Sequence, residues 1–407
     1  MSWRPSLGTA GPVAFGVFTA LCIVGFAPPP IAYNNHIGDY MLAVGAILIA
    51  VAYRHGERID IDALDRWWRV ALCGSIVISV AAGPAPFAAI ERLQLYAGVV
   101  ALGVAIYLVH RRSAEHPLQG YLWAILLVHA LLVAAILAWF LAGQVQQPWN
   151  GRTPFHSNIR HFAYHGYLAA ASGVAIFALS KRLHAQAVAL TTVALFAIIA
   201  FGARGALIAW LVCALVTTTL SSGRRRVLGL CLASLIGGVL MAWAAQVAQL
   251  MPGASSLFDR AGEGAAMIYG SAGRWPIWQK SWQAIAAQPL WGYGPEGYAF
   301  SNCCNPRTVQ PHNFVLQMLM EFGLVGATVL VALAMRIAAG FGTLQQWTGA
   351  VRQSPELRCI AAVLTGFCVY AFVDGLLYHA VPLMHFAVFV GLAFAAMRSH
   401  VVPAVRQ

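Results

Sequence analysis

The amino-acid sequence predicts an all-α integral membrane protein with about twelve transmembrane helices. Of its 407 residues, 60% are hydrophobic and only 9% are charged, whereas about 25% of the residues of a soluble domain are charged. The apolar runs are continuous and do not alternate with polar residues, which favours helices over membrane strands. So few charges cannot cover a water-exposed surface, which excludes soluble enzymes, nucleic-acid-binding domains and disordered chains.

The predicted spans follow runs of mostly apolar residues near the length of about 20 that a bilayer requires. They lie at approximately 11–27, 37–53, 68–83, 92–109, 120–142, 164–180, 185–202, 205–220, 227–250, 313–335, 358–376 and 381–397. The first run has no small-residue cleavage pattern and is followed directly by three prolines. We therefore interpret it as a retained helix and not as a signal peptide.

The basic residues orient these spans. With the N-terminus in the cytoplasm, 17 of the 25 Lys and Arg residues fall in cytoplasmic segments, as the positive-inside rule requires. The net charge of +12 is therefore explained by topology, and no nucleic-acid partner is expected. Both termini are predicted to be cytoplasmic. Residues 1–250 then hold spans one to nine, residues 251–312 form one large outer loop with membrane-surface helices, and residues 313–407 hold spans ten to twelve.

The outer side is poor in acidic residues, and we expect neither a metal ion nor a cofactor there. Its carboxylates are Asp39, Glu91, Asp259, Glu263, Glu296 and Asp374, and no pair of them has the spacing of a metal site. The segment from Gly292 to Gly297 matches the dinucleotide pattern GxGxxG. That pattern is informative only between a strand and a helix, so we interpret it as a glycine-bent loop.

Three arginines on the outer side are the first candidates for chemistry. Arg204 lies in a short turn between two apolar runs, where a charge is costly and indicates a functional site; the alternative is a snorkelling anchor. Arg160 lies in a loop that is also rich in histidine, and Arg274 opens a Trp-rich segment. Because guanidinium groups pair well with phosphate oxygens, their convergence indicates a lipid phosphate.

The segment that follows Arg274 is predicted to be a helix on the membrane surface. Trp275, Trp278, Trp282 and Ile285 recur at spacings of three and four, which places them in one arc of a helix. At the end of the outer loop, His312 follows a proline and heads the tenth span. Imidazole is suited to act as a general base near neutral pH. Asp374, at the outer end of span eleven, is a candidate to orient His312 or an arginine.

These residues belong to a longer pattern, R…W…P-x-x-G-x-G…HN-x-x-L…E-x-G-x-x-G before a transmembrane helix. Its matching positions are Arg274, Trp278, Pro289, Gly292, Gly294, His312, Asn313, Leu316, Glu321, Gly323 and Gly326. This pattern resembles the O-antigen ligase and polymerase superfamily and, within it, the O-antigen ligases of Gram-negative bacteria.

The resemblance implies a GT-C-like glycosyltransferase of lipopolysaccharide biosynthesis in the bacterial inner membrane. It would transfer O-antigen polysaccharide from undecaprenyl diphosphate to lipid A–core on the periplasmic face, without ATP or metal. His312, Arg274 and Arg204 would be catalytic, with His312 as the base of an inverting displacement. Arg160, Asp374 and Asn313 would bind or position the donor. Donor, acceptor and membrane lipids are the expected partners.

Three other functions stay open. A polymerase of the same superfamily would extend one lipid-linked glycan with another. A protein O-oligosaccharyltransferase would use a protein acceptor. A transporter of a lipid-linked anion would bind the donor without reacting, although the internal repeats and broken helices that are common in transporters are not evident in the sequence.

Overall fold

The computed structural model describes residues 4–24, 30–57, 66–111, 117–143, 159–180, 184–251, 256–259, 274–301 and 309–401. Helices account for most of these residues, and no strand occurs among them. The helices are α1 (Arg4–Val24), α2 (Pro30–Arg54), α3 (Arg66–Ala82), α4 (Pro86–His110), α5 (Leu118–Leu141), α6 (Ile159–Leu179), α7 (His184–Ala200), α8 (Arg204–Leu220), α9 (Arg224–Val247), α10 (Arg274–Ala287), α11 (Gly297–Phe300), α12 (Phe314–Phe341), α13 (Leu344–Gln353), α14 (Pro355–Val373) and α15 (Ala380–Val401). The predicted all-helical fold class is confirmed.

Eight of these helices are long and apolar enough to cross a membrane, counted over the described ranges. They are α2, α4, α5, α6, α9, α12, α14 and α15. Four shorter apolar helices, α1, α3, α7 and α8, coincide with the four remaining predicted spans. The chain is thus a multi-pass membrane protein. Its division at residues 250 and 312 stays a prediction.

Proline and glycine lie at the ends of several helices, where their backbone preferences fit. Pro86 begins α4, where its missing N–H costs no hydrogen bond. Gly143 follows the end of α5 and Gly202 follows the end of α7, both with φ of 66°. A left-handed residue at this position ends a helix, and glycine adopts it without steric cost.

The described chain divides into two compact units. The first comprises Met1–Tyr33, Arg112–Gly262 and Gly349–Tyr370. Its centre is α6, which is buried over most of its length and packs against α5, α7 and α8. The Tyr167 hydroxyl donates to the carbonyl of Val363, which satisfies a polar group in this apolar interior.

The second unit comprises Asn34–Arg111, Glu263–Thr348 and Ala371–Gln407. In it, α4 packs along α15, and α3 and α10 pack against α12. A Cβ atom at Gly391 would lie 2.6 Å from the carbonyl oxygen of Gly103. Small residues at such crossings let membrane helices approach closely. This unit holds the residues from which the candidate site is built.

The predicted aromatic arc of α10 divides between two environments. Trp278 and Ile285 pack against a core cluster that contains Tyr298, Leu316 and Met320. Trp275 and Trp282 are instead exposed by 47% and 56%. The part of the arc that carries Trp278 and Ile285 therefore faces the protein and packs against α12.

Candidate active site

His312 lies directly before α12, in a backbone conformation that few residues adopt. Its φ is 55°, in the left-handed region that is uncommon for residues other than glycine. The Gln310 side chain supports this turn, because its Oε1 accepts the His312 backbone N–H at 2.7 Å. Unusual backbone conformations of this kind cluster at functional sites, so the conformation supports a role for His312.

Asn313 caps α12 and ties it to the end of α14. Its Oδ1 accepts the backbone N–H of Leu316 at 3.0 Å, which is the usual hydrogen bond of a helix N-cap. Its Nδ2 donates to the carbonyl of Phe372, also at 3.0 Å. Both ends of the amide are used within the protein, so the structure gives Asn313 a positioning contact between the segments that carry His312 and Asp374.

Asp374 joins His312 to Arg274. Its Oδ1 lies 2.8 Å from His312 Nδ1, and its Oδ2 accepts from Arg274 Nη2 at 3.3 Å. The backbone N–H of Gly375 also donates to Oδ1, at 2.8 Å. The Asp374 side chain is only 8% exposed, so its carboxylate holds a cationic and an imidazole group in a partly dehydrated setting.

The contact with Asp374 assigns the tautomer of His312. An ionised carboxylate can only accept hydrogen bonds, so Nδ1 carries the hydrogen; the assignment follows from the partners. The Gln310 Nε2 atom lies 3.0 Å from the same Nδ1, but an amide N–H cannot donate to a nitrogen that already carries hydrogen. We therefore take the carboxylate as the partner of Nδ1. In the neutral imidazole with this tautomer, Nε2 is the nitrogen without a hydrogen and can accept a proton.

Arg274 is the first residue of α10, beside the segment that leads to His312. Trp278 Nε1 donates to the carbonyl of Pro311 at 3.1 Å, which fastens α10 to this segment. Arg274 Nη1 is buried and has no hydrogen-bond partner among the described residues. An unpaired donor on a cation is costly, so this nitrogen is suited to bind an anionic oxygen of a ligand.

Gly323, one of the glycines of the motif, lies at a break in α12. At Gly323 the backbone leaves the helical conformation, with φ of 62° and ψ of −173°. The loop from Pro289 to Tyr293 docks there: Tyr293 N–H donates to Met320 O at 2.6 Å, and Leu324 N–H donates to Pro289 O at 2.8 Å. A Cβ atom at Gly323 would collide with the carbonyl of Leu290. The loop thus satisfies the backbone groups that the break exposes.

Arg204 and Arg160 belong to the first unit. Arg204 is the first residue of α8, after the short turn that the sequence predicted, and Arg160 lies in the first turn of α6. All three candidate arginines therefore lie in the first turn of a helix. A cation there opposes the helix dipole, while the same N-terminus favours an anion. The second unit brings together His312, Arg274, Asp374 and Asn313.

A second polar cluster in the second unit was not predicted. Arg92 is completely buried, and its Nε lies 3.6 Å from Glu296 Oε1. Tyr378 donates its hydroxyl to Glu296 Oε2 at 2.7 Å. Burial raises the pKa of the Glu296 carboxyl above its ordinary value, against the opposing attraction of Arg92. An arginine inside an apolar span was a usable signal, but its partner lies 204 positions away in sequence.

Glu321, a motif residue, lies in a buried polar network. Its carboxylate accepts from the side chains of Gln317 and Tyr96, each at 3.0 Å. Its backbone carbonyl accepts the Ser79 hydroxyl at 2.6 Å. Glu321 is therefore held within the protein by three hydrogen bonds. Over the residues that the structure describes, no cluster of three or more His, Cys, Asp or Glu side chains could hold a metal ion.

Residues 187–331 match the family model described as O-antigen ligase. The matched segment begins in α7 and ends in α12, and it includes Arg204, Arg274 and His312 but neither Arg160 nor Asp374. No curated protein matches the chain. The match confirms the resemblance that the motif indicated: residues 187–331 are similar to the O-antigen ligase family.

Proposed function

We propose that this protein transfers a finished O-antigen polysaccharide from undecaprenyl diphosphate to a terminal sugar of lipid A–core. The observation that carries the proposal is the Asp374 carboxylate, which lies between His312 and Arg274. A base and an anion-binding group held by one carboxylate form a site that can deprotonate an acceptor while it stabilises a leaving phosphate. The family match supports the substrate class.

In the proposed reaction, the acceptor hydroxyl oxygen attacks the anomeric carbon of the donor sugar. The bond from that carbon to the diphosphate oxygen breaks, and undecaprenyl diphosphate leaves with the electron pair. His312 Nε2 takes the hydroxyl proton, and Asp374 stabilises the imidazolium that forms, as in other His–Asp pairs. No covalent nucleophile is required, so a single displacement would invert the configuration of the anomeric carbon.

The arginines would bind the diphosphate. Arg274 Nη1, which has no partner in the described chain, would donate to a phosphate oxygen and stabilise the charge that develops as the bond breaks. Arg204 and Arg160 are proposed as diphosphate-binding residues on the strength of the sequence. Asn313 would position His312 through its two backbone contacts.

The reaction would occur on the periplasmic face of the bacterial inner membrane, and both termini would lie in the cytoplasm. The sugar–diphosphate bond supplies the driving force, so ATP is not needed. A metal ion is not needed either, because the Asp374 carboxylate is engaged by His312 and Arg274, and arginines replace a divalent cation at the diphosphate.

One assay separates this function from the alternatives. The purified chain is incubated with a lipid-linked glycan and lipid A–core, without nucleotide and with excess chelator. Glycan on lipid A–core supports the ligase, whereas glycan joined to glycan identifies a polymerase. Transfer that occurs only with an added protein acceptor identifies a protein O-oligosaccharyltransferase. Binding of the donor without any product identifies a transporter, and activity that returns only with magnesium or manganese contradicts the metal-independent mechanism.

A further inference from the structure

Arg92 is an arginine that a membrane helix keeps inside the protein. It lies in α4, and its side chain has no exposed surface. Near the end of a span, an arginine usually extends its charged group toward the membrane surface. Arg92 instead donates from Nη2 to the carbonyl of Tyr378 at 2.7 Å. Its guanidinium carbon also lies 4.3 Å from the centre of the Tyr378 ring and 5.0 Å from that of Tyr96.

Glu296 completes this arrangement from the loop that follows α10. It is a non-glycine residue with φ of 62°, and it is 1% exposed. Its carboxylate accepts the Tyr378 hydroxyl and faces Arg92 Nε. Tyr378 is therefore held both at its backbone carbonyl, by Arg92, and at its hydroxyl, by Glu296.

Tyr378 is connected to Asp374 by a short, hydrogen-bonded turn. The turn is the 3-10 helix Leu376–Tyr378, closed by a hydrogen bond from the N–H of Tyr378 to the carbonyl of Gly375 at 3.0 Å. The N–H of Gly375 in turn donates to the Asp374 carboxylate. One end of the turn therefore holds the carboxylate that contacts His312 and Arg274, and the other end is fixed by Arg92 and Glu296.

We infer that Arg92, Glu296 and Tyr378 form a brace that positions Asp374, and through it His312, for the reaction. The inference rests on the proposed function of His312 and Asp374. None of the three brace residues needs to touch the substrate. They are positioning residues: the brace fixes the turn, the turn fixes the Asp374 carboxylate, and the carboxylate sets the tautomer and the direction of the His312 ring.

A brace made only for folding would not need these charges. Apolar side chains of similar volume generally stabilise a buried site as well as an ion pair does. Charged groups inside a membrane span are costly and usually mark a functional site. Arg92 is suited to hold the Tyr378 carbonyl in one place. Its planar guanidinium group can bind that carbonyl and at the same time stack on the aromatic rings of Tyr96 and Tyr378.

The most direct test is Tyr378→Phe, which keeps the ring over Arg92 and removes only the hydroxyl that binds Glu296. The full-length protein in lipid nanodiscs is assayed with the lipid-linked donor and lipid A–core. We expect kcat to fall about 10-fold to 100-fold with an unchanged KM for the donor, since a misplacement of about 1 Å can cost about 10²-fold in rate. Arg92→Lys should retain more activity than Arg92→Gln.

Tyr167→Phe is the matched control. Like Tyr378, Tyr167 is a buried tyrosine with a hydrogen-bonded hydroxyl, but its acceptor is the backbone carbonyl of Val363 and it belongs to the first unit. Hydrogen–deuterium exchange of the segment 374–379 should rise in Tyr378→Phe and stay unchanged in Tyr167→Phe. This measurement does not depend on transfer activity, so it tests the brace even if the proposed function fails.

A double-mutant cycle identifies the residue through which the brace acts. In an Asp374→Asn background, Tyr378→Phe should change the rate by less than about twofold, the usual uncertainty of additivity. Full multiplication of the two losses would overturn the inference, as would unchanged exchange at 374–379. A third outcome separates the brace from the proposed function. If the exchange at 374–379 rises as expected but Asp374→Asn and His312→Ala both transfer glycan at the wild-type rate, the brace stands and the proposed function fails.

Discussion

The Oδ1 atom of Asp374 lies 2.8 Å from the Nδ1 atom of His312, although 62 positions separate the two residues in sequence. The contact directs Nε2 away from the carboxylate and leaves it as the nitrogen that can accept a proton. Asp374 itself lies outside the matched family segment, which ends at residue 331. The first two predictions concern this pair.

His312→Ala should lower turnover by about 10²–10⁴-fold, the usual contribution of a general base, while binding of undecaprenyl diphosphate persists. Rates are measured by single turnover, and lipid binding is measured separately. His312→Asn tests a merely structural role, because Asn caps helices well; a near wild-type rate in that variant would end the general-base proposal.

Asp374→Asn should reduce turnover by about 10²–10⁴-fold without loss of the fold. The amide can donate to His312 Nδ1, which would place the hydrogen on Nε2 and block its function as a base. The same change in a serine-protease triad lowers the rate by about 10⁴-fold for this reason. Both kcat and the thermal stability of the variant are measured and compared with those of the wild type. Full activity in the Asn variant would mean that the carboxylate does not set the tautomer.

Arg274→Ala should lower kcat by about 10²–10³-fold, the cost of removing one donor that stabilises developing charge. Arg274→Lys should recover little, since an ammonium group cannot contact Asp374 and a phosphate oxygen with a planar pair of nitrogens. Lys280→Ala is the control, because Lys280 is an exposed cation on the same helix. Equal losses in the Arg274 and Lys280 variants would point to a general effect of charge on α10.

Gly323→Ala should destabilise the protein, by about 1–3 kcal/mol from backbone strain alone and by more from the collision with Leu290. Gly340→Ala serves as the control in the same helix, since a Cβ atom there meets no other atom within 4 Å. That variant should be neutral or slightly more stable, because Ala favours helix more than Gly does. Thermal unfolding in one detergent compares the two; equal stability would argue against the docked loop.

Glu296→Gln should change how stability depends on pH. Burial raises the pKa of Glu296 in the folded state, so the folded protein binds this proton more tightly than the unfolded chain does. The wild type should therefore lose stability relative to Glu296→Gln as the pH rises from below about 4.5 toward neutrality. Melting temperatures of both proteins across this range give the difference. A difference that instead grows in favour of the wild type would show that the attraction of Arg92 outweighs desolvation.

The sequence by itself determined the membrane class and the positions of the apolar helices, and it indicated a candidate site. The fold class follows from local composition, because a lipid-exposed backbone must satisfy its hydrogen bonds within each helix. Arg274 and His312 were selected as candidates for a related reason: a cation or an imidazole beside an apolar span is unusual in a membrane protein. The same reason applied to Arg204 and Arg160, and the roles of all four residues stay predictions.

Only the tertiary structure decided which distant residues lie in contact. The pairing of Asp374 with His312 and Arg274, the contact of Arg92 with Glu296, and the docking of the Pro289–Tyr293 loop at Gly323 all join distant parts of the chain. A glycine in an apolar run is compatible with a straight helix, a close crossing or a break. The choice depends on which backbone packs against it, and that is a property of the assembled helices.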